Sequence, residues 1–135
     1  KIKNPKALVE KLGIDATKKV CIVGKLDSDV RADVERAEAK LAKTARGKDF
    51  DVLLFAAKAK KDLDKLPASK EMIAEDGGIW IVYAKGAKGD DELTERAVLT
   101  AGRTLGLTDN KVAKVNEDLT AVRFVIPVAQ RKKKK

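Results

Sequence analysis

Histidine is absent from this chain of 135 residues, and cysteine occurs once, at Cys21. Without histidine, the chain cannot form a Ser-His or Cys-His catalytic pair, and it lacks the commonest general base. A single thiol excludes a disulfide within the chain and, without histidine, a structural zinc site. Cys21 lies in the apolar run 20–23, which favours a buried core side chain over a nucleophile. We therefore predict no catalytic residue and no metal site.

Long apolar runs are also missing. No stretch approaches the roughly 20 residues that a membrane-spanning helix needs, and no signal-peptide pattern is present. We therefore predict no membrane span. A single cysteine fits a reducing compartment, so we expect a cytoplasmic location.

Positive charge is abundant, with a net charge of +9, and five basic residues end the chain. These are Arg131, Lys132, Lys133, Lys134 and Lys135. Such a tail attracts nucleic acid or another anionic surface through phosphate contacts and counterion release, although a disordered segment that only aids solubility has the same composition. The length suits one domain. We predict a single Rossmann-like α/β domain over residues 1–130 and a disordered basic tail over residues 131–135.

Hydrophobic periodicity predicts alternating helices and strands. Residues 20–23, 50–57 and 79–83 are nearly continuous apolar runs, which are typical of parallel strands buried on both faces. The apolar spacing over residues 29–45 predicts one long helix, and two strands near residues 109–116 and 121–128 are close enough for a hairpin. The pattern predicts a three-layer α/β/α Rossmann-like sandwich with about five strands, mostly parallel, ending in an antiparallel hairpin. The loop after residues 79–83 is predicted to lead into a helix that starts at Asp90.

Two features of the second half carry a family resemblance. Residues 50–55 are predicted to form a buried strand, and Gly77-Gly78 precede the next predicted strand, residues 79–83, with the predicted hairpin after it. This order resembles the C-terminal part of Rossmann-like S-adenosylmethionine-dependent methyltransferases, including their pro-gly-gly turn. The chain is also similar to an uncharacterised bacterial family of single-domain methyltransferase-like proteins. The resemblance implies the fold, in truncated form, and no particular activity.

The first half departs from that pattern where the cofactor would bind. Those methyltransferases follow strand one with a glycine-rich turn, and an acidic residue that holds the ribose ends their next strand. Here only Gly24 follows strand one, and a single predicted helix leads directly to residues 50–57. We therefore expect the sheet to have lost two strands together with the cofactor site. On this reading S-adenosylmethionine binds poorly, no cofactor is held, and strand one becomes an exposed edge through which a homo-oligomer could form.

Lysine follows each of the three predicted parallel strands. In open α/β sheets, ligands bind beyond the carboxyl ends of the strands, and glycines in the third loop would let its amides face an anion near a helix start. The predicted anion-binding residues are Lys25, Lys58, Lys60, Lys85, Gly86, Lys88 and Gly89. Because lysine is common throughout the chain, a simply solvated face explains the same pattern.

Three functions stay open. The sequence favours a non-catalytic domain that binds a phosphate, a nucleotide or a nucleic-acid backbone at the lysine-rich edge. The second is a small methyltransferase-like or nucleotide-dependent enzyme with a degenerate cofactor site. The third is an oligomerisation or interaction module.

Overall fold

The computed structural model describes residues 8–42, 47–86 and 93–127. In chain order these form α1 (Leu8–Leu12), β1 (Lys19–Val23), α2 (Ser28–Arg36), β2 (Lys40–Leu41), β3 (Phe50–Ala56), a 3₁₀ helix (Lys60–Lys65), α3 (Leu66–Lys70), β4 (Ile73–Ala84), α4 (Glu95–Thr104), β5 (Thr108–Lys114) and β6 (Leu119–Val125). The described strands form one sheet in the order β2-β1-β3-β4-β6-β5. Strands β1 to β4 pair in parallel, and β6 runs antiparallel to both β4 and β5. The predicted fold and its hairpin are confirmed, with six strands instead of about five.

Helices cover both faces of this sheet, because alternate strand residues point to opposite sides. On one face, α1 and α2 contribute Leu12 and Val34 to a buried cluster with the strand residue Trp80. On the other face, α3 and α4 contribute Leu66 and Val98 to a second cluster. The Trp80 Nε1–H donates to the carbonyl oxygen of Leu12 at 2.9 Å, which holds the end of α1 on the sheet.

The helix predicted over residues 29–45 is wrong over residues 37–42, and residues 43–45 lie outside the described residues. The helix ends at Arg36 because the Ala37 N–H bonds back to the Val34 carbonyl and Glu38 adopts the left-handed region, with φ of 60°. The chain then pairs Lys40 with Lys19 as the short strand β2. Alanine, glutamate and lysine favour a helix in this segment, so strand pairing overrides local propensity.

The presence of β2 corrects two further predictions. The strand after β1 is not lost, and β1 is not an edge, because it lies between β2 and β3. The sheet edges are β2 and β5, so a homo-oligomer formed through strand one loses its structural basis. At the β5 edge, Val112 is 68% exposed, but Lys111 and Lys114 flank it, and charge on an edge strand opposes pairing with another strand.

Other boundaries shift by several residues. The third predicted strand, 79–83, extends back to Ile73 as β4. The helix predicted from Asp90 begins at Glu95 in the described part of the chain, where residues 90–92 are not included, because the Thr94 hydroxyl oxygen accepts from the Ala97 N–H at 3.1 Å and caps it there. No helix within the described ranges is long and apolar enough to cross a membrane.

Candidate ligand-binding cleft

Two adjoining cavities lie beyond the carboxyl ends of the parallel strands. From β1 the chain passes to β2 on one side and then to β3 on the other, so the strand order reverses between β1 and β3. This switch point is where open α/β sheets bind ligands. The cavities measure about 470 and 290 Å³ and share Lys25, Ala56 and Lys58 in their walls. We call the two cavities together the carboxyl-edge cleft.

Gly24 makes this close approach of β1 and β3 possible. Its φ is +86°, a backbone conformation that residues other than glycine rarely adopt. A Cβ at this position would also stand 2.6 Å from the Ala56 carbonyl oxygen. The one glycine that follows strand one therefore turns the chain tightly at the cleft.

The two cavities differ in chemistry. The larger one is lined by four lysines, which are Lys25, Lys58, Lys61 and Lys65, and by the carboxylate of Asp62. The smaller one is lined mainly by aliphatic residues, which include Leu26, Ala57, Val82, Ala84 and Leu119, together with Lys25, Lys58 and Asp27. Both cavities therefore combine apolar surface with lysine side chains, and the larger one has more lysines.

Both acidic residues of the cleft cap a helix. Asp62 accepts from the Lys58 N–H at 2.8 Å and from the Ala59 N–H at 2.9 Å, and these bonds hold the pKa of Asp62 below its ordinary value. Asp27 accepts from the N–H groups of the first turn of α2. One oxygen of each carboxylate, Oδ2 of Asp62 and Oδ1 of Asp27, is thus engaged by backbone amides. Four lysines and these two carboxylates line the cleft, so positive charge is in excess.

The structure brings some of the predicted site residues together. Lys25 and Lys58 line both cavities. Lys60 is exposed and is not part of the cavity walls, while Lys85 and Gly86 are exposed just after β4, next to the wall residue Ala84. Lys88, Gly89 and all five residues of the tail, 131–135, lie outside the described residues. Whether any of these residues binds an anion stays a prediction.

Sequence reasoning missed Lys65 and Asp62 as cleft residues and left Lys61 out of the site. A usable signal was present, because Lys61 is three residues from Lys58, and Lys65 four from Lys61. Residues three and four apart lie on one side of a helix.

The acidic residue expected at the end of the second strand is missing, although the strand itself exists. Ala42 follows β2, and the next carboxylate in the sequence is Asp49, just before β3. The ribose-holding group of the methyltransferase pattern therefore has no counterpart at this position.

The Asp62 cap makes stability depend on pH. Because the folded state lowers the pKa of Asp62, the carboxylate stabilises the fold above its unfolded pKa of about 3.9, and this contribution is lost as the pH falls through the lower folded value. We expect Asp62→Asn to cost about 1 kcal/mol of unfolding free energy near pH 6, and the difference from the unsubstituted protein should shrink below about pH 4. Urea unfolding at a series of pH values measures this, with Asp64→Asn as the control. A constant difference down to pH 2 would contradict the capping role.

Comparisons with known proteins identify the fold. No family model matches the chain, and no curated protein sequence matches it. Among solved structures it is similar to a TehB-like S-adenosylmethionine-dependent methyltransferase from Corynebacterium glutamicum, with a TM-score of 0.57, 13% identity and coverage of 89% of this chain and 85% of the other. It is also similar to an S-adenosylmethionine-dependent methyltransferase from Aquifex aeolicus, with a TM-score of 0.56 and 14% identity. That match covers 89% of this chain and 88% of the other.

A longer protein, an O-methyltransferase from Thermotoga maritima, matches with a TM-score of 0.65 at 9% identity over 95% of this chain and 65% of that one. These identities show the fold alone. The chain therefore has a truncated, Rossmann-like, methyltransferase-type fold, as its sequence predicts.

Proposed function

We propose that this chain is a methyltransferase-like protein with an altered cofactor site, and that its carboxyl-edge cleft binds a nucleotide or a related phosphate-bearing ligand. One observation carries the proposal: a cavity with four lysines in its wall adjoins a cavity lined mainly by aliphatic residues, and the two share Lys25 and Lys58. A nucleotide has the same two parts, since its flat base prefers an apolar wall and its phosphates prefer ammonium groups.

The charges of the cleft oppose S-adenosylmethionine itself. That cofactor has a positively charged sulfur and an ammonium group, and four lysines line the larger cavity. No carboxylate follows β2 to hold a ribose, and only Gly24 follows β1. We therefore expect S-adenosylmethionine to bind weakly, while an anionic adenine nucleotide binds more tightly.

A methyltransferase that uses S-adenosylmethionine is the second candidate function, and the structural neighbours favour it. Both candidates place the ligand in the same cleft, so affinity distinguishes them. The lysine-rich wall favours the anionic ligand, and a purely non-catalytic binding role stays compatible with it.

Calorimetric titration with one ligand at a time tests the proposal. S-adenosylmethionine, its demethylated product, AMP, ADP and inorganic phosphate form the panel. Tighter binding of ADP than of phosphate supports a nucleotide that uses both cavities. Tight binding of S-adenosylmethionine, or no binding of any nucleotide, would overturn the proposal, and the first outcome would establish the second candidate.

Reversing two charges should abolish most of this binding. Lys25→Glu with Lys58→Glu places two carboxylates in the walls that both cavities share. We expect ADP to bind at least about 100-fold more weakly, at roughly tenfold or more for each lost charged contact. Both side chains are exposed, so the melting temperature should change little. Lys40→Glu on the exposed strand β2 is the matched control, and equal weakening by that variant would indicate a general charge effect.

Other proposed contacts lie outside the cleft. The basic residues 131–135 remain a proposed contact for nucleic acid or another anionic surface, through phosphates alone. Homo-oligomerisation and a cytoplasmic location also remain predictions.

A further inference from the structure

A third cavity lies at the opposite edge of the sheet, near the amino ends of β3 and β4. It measures about 250 Å³, and Trp80, which is almost fully buried, forms part of its wall. The walls also include Asp51, Asp76, Lys111 and Arg123. We call it the amino-edge cavity. It shares no residue with the carboxyl-edge cleft.

Gly77 shapes one side of the amino-edge cavity. Between β3 and β4 the pairing moves from Phe50–Ile73 to Val52–Gly78, so β4 bulges by several residues. The bulge packs closely, because a Cβ on Gly77 would stand 2.6 Å from the Phe50 carbonyl oxygen. Asp76, within the bulge, and Asp51, at the start of β3, then both line the cavity.

Gly78 shapes the other side. A Cβ at this position would lie 2.7 Å from Nε and 2.9 Å from Cζ of Arg123, so the guanidinium group occupies the space that a side chain would fill. Arg123 is paired with Trp80 on β4 and with Lys111 on β5. Gly77 and Gly78, which resemble the pro-gly-gly turn, therefore leave room for the bulge that contains Asp76 and for the side chain of Arg123. Both of these charged residues line the amino-edge cavity.

The wall of the amino-edge cavity contains charged side chains of both signs. In the sheet order β3-β4-β6-β5, the wall residues are Asp51, Asp76, Arg123 and Lys111, which places two acids next to two bases. The remaining charged residues of the wall are one acid, Glu10, and two bases, Lys11 and Lys18. A ligand with a single charge would meet a group of like sign, whereas a ligand with both charges could face each with its opposite.

We propose that the amino-edge cavity binds a small zwitterion of the α-amino acid type. Its carboxylate would contact Arg123 and Lys111, and its ammonium group would contact Asp76 and the Oδ1 of Asp51, because Oδ2 of Asp51 already accepts from the Lys19 N–H at 2.9 Å. The volume fits this class, because about 250 Å³ is below the range of about 300–1,000 Å³ in which drug-sized ligands bind. This inference is independent of the function proposed for the carboxyl-edge cleft.

The single tryptophan of the chain reports on this cavity directly. Intrinsic fluorescence is titrated with the common α-amino acids, and each one that changes the signal is compared with its N-acetyl and its C-amide derivative. We expect at least one amino acid to saturate the signal, and either derivative to bind about tenfold more weakly because one charged contact is lost.

Two substitutions locate the binding. Asp76→Asn and Arg123→Gln should each weaken the amino acid about tenfold, whereas the matched controls Asp64→Asn and Arg96→Gln should not. Asp76 is exposed, whereas Arg123 is partly buried. Asp76→Asn should therefore fold normally, and it still tests the proposal if Arg123→Gln fails to fold.

Three outcomes would overturn the inference. The first is no saturable change with any amino acid up to about 10 mM, a concentration that detects even weak binding. The second is equal affinity for an amino acid and its singly charged derivatives. The third is unchanged affinity in the Asp76 and Arg123 variants.

Discussion

Trp80→Ala should lower the free energy of unfolding by about 3–5 kcal/mol, the usual cost of truncating a buried tryptophan. Trp80 is 1% exposed in the middle of the sheet, and its indole N–H donates to the Leu12 carbonyl at 2.9 Å. The substitution leaves a cavity under α1 and leaves that buried carbonyl without its donor. Because domains of this size are stable by only about 5–15 kcal/mol, the variant should unfold at much lower urea concentration.

Two further variants serve as controls, one for the hydrogen bond and one for side-chain truncation at the surface. Trp80→Phe keeps most of the apolar volume and should cost less than the alanine substitution. Val112→Ala truncates a side chain that is 68% exposed and should stay within about 0.5 kcal/mol. A loss below about 1 kcal/mol for Trp80→Ala would contradict the docking of α1 on the sheet.

Gly77→Ala and Gly78→Ala should differ strongly although the residues are adjacent. A Cβ on Gly77 would stand 2.6 and 2.9 Å from the backbone oxygens of Phe50 and Asp51, which cannot move without distorting β3. We expect a loss of about 2–3 kcal/mol for Gly77→Ala, measured by urea unfolding. At Gly78 the obstacle is the end of the Arg123 side chain, 2.7 Å away, which can rotate aside. That variant should cost less than about 1 kcal/mol.

The Gly78→Ala variant also links stability to the amino-edge cavity. If the guanidinium group of Arg123 is displaced, amino acid binding should weaken while the fold is retained. Equal destabilisation by the two alanine variants would show that the Arg123 side chain is as rigidly held as the backbone. That result would require a different account of the bulge in β4.

The methyltransferase-type scaffold explains where ligands can bind and leaves the ligand itself open. One fold supports many functions, because function depends on the side chains at the site. In this chain the switch point between β1 and β3 is preserved, whereas the groups around it are lysines. This combination is the reason to separate the methyltransferase-like fold from the use of S-adenosylmethionine.

Much of the architecture follows from the sequence alone. The continuous apolar runs that become β1, β3 and β4 are typical of strands buried on both faces of a largely parallel sheet covered by helices, and the short polar turn after β5 permits only a hairpin. Strand direction then predicts that Lys25 and Lys58 lie at one edge, and in the structure both line the same cavity. These features are set by periodicity and chain connectivity, and both can be read along a single sequence.

The tertiary structure decided the rest. Strand β2 has two residues in a helix-favouring segment, and only pairing with β1 gives those residues an extended form. The bulge in β4, the amino-edge cavity and the place of Lys65 in the cleft depend on contacts between residues far apart in the chain. The sequence determines which residues can form strands and helices. Which strands pair, and in which register, depends on packing energies that no local pattern contains.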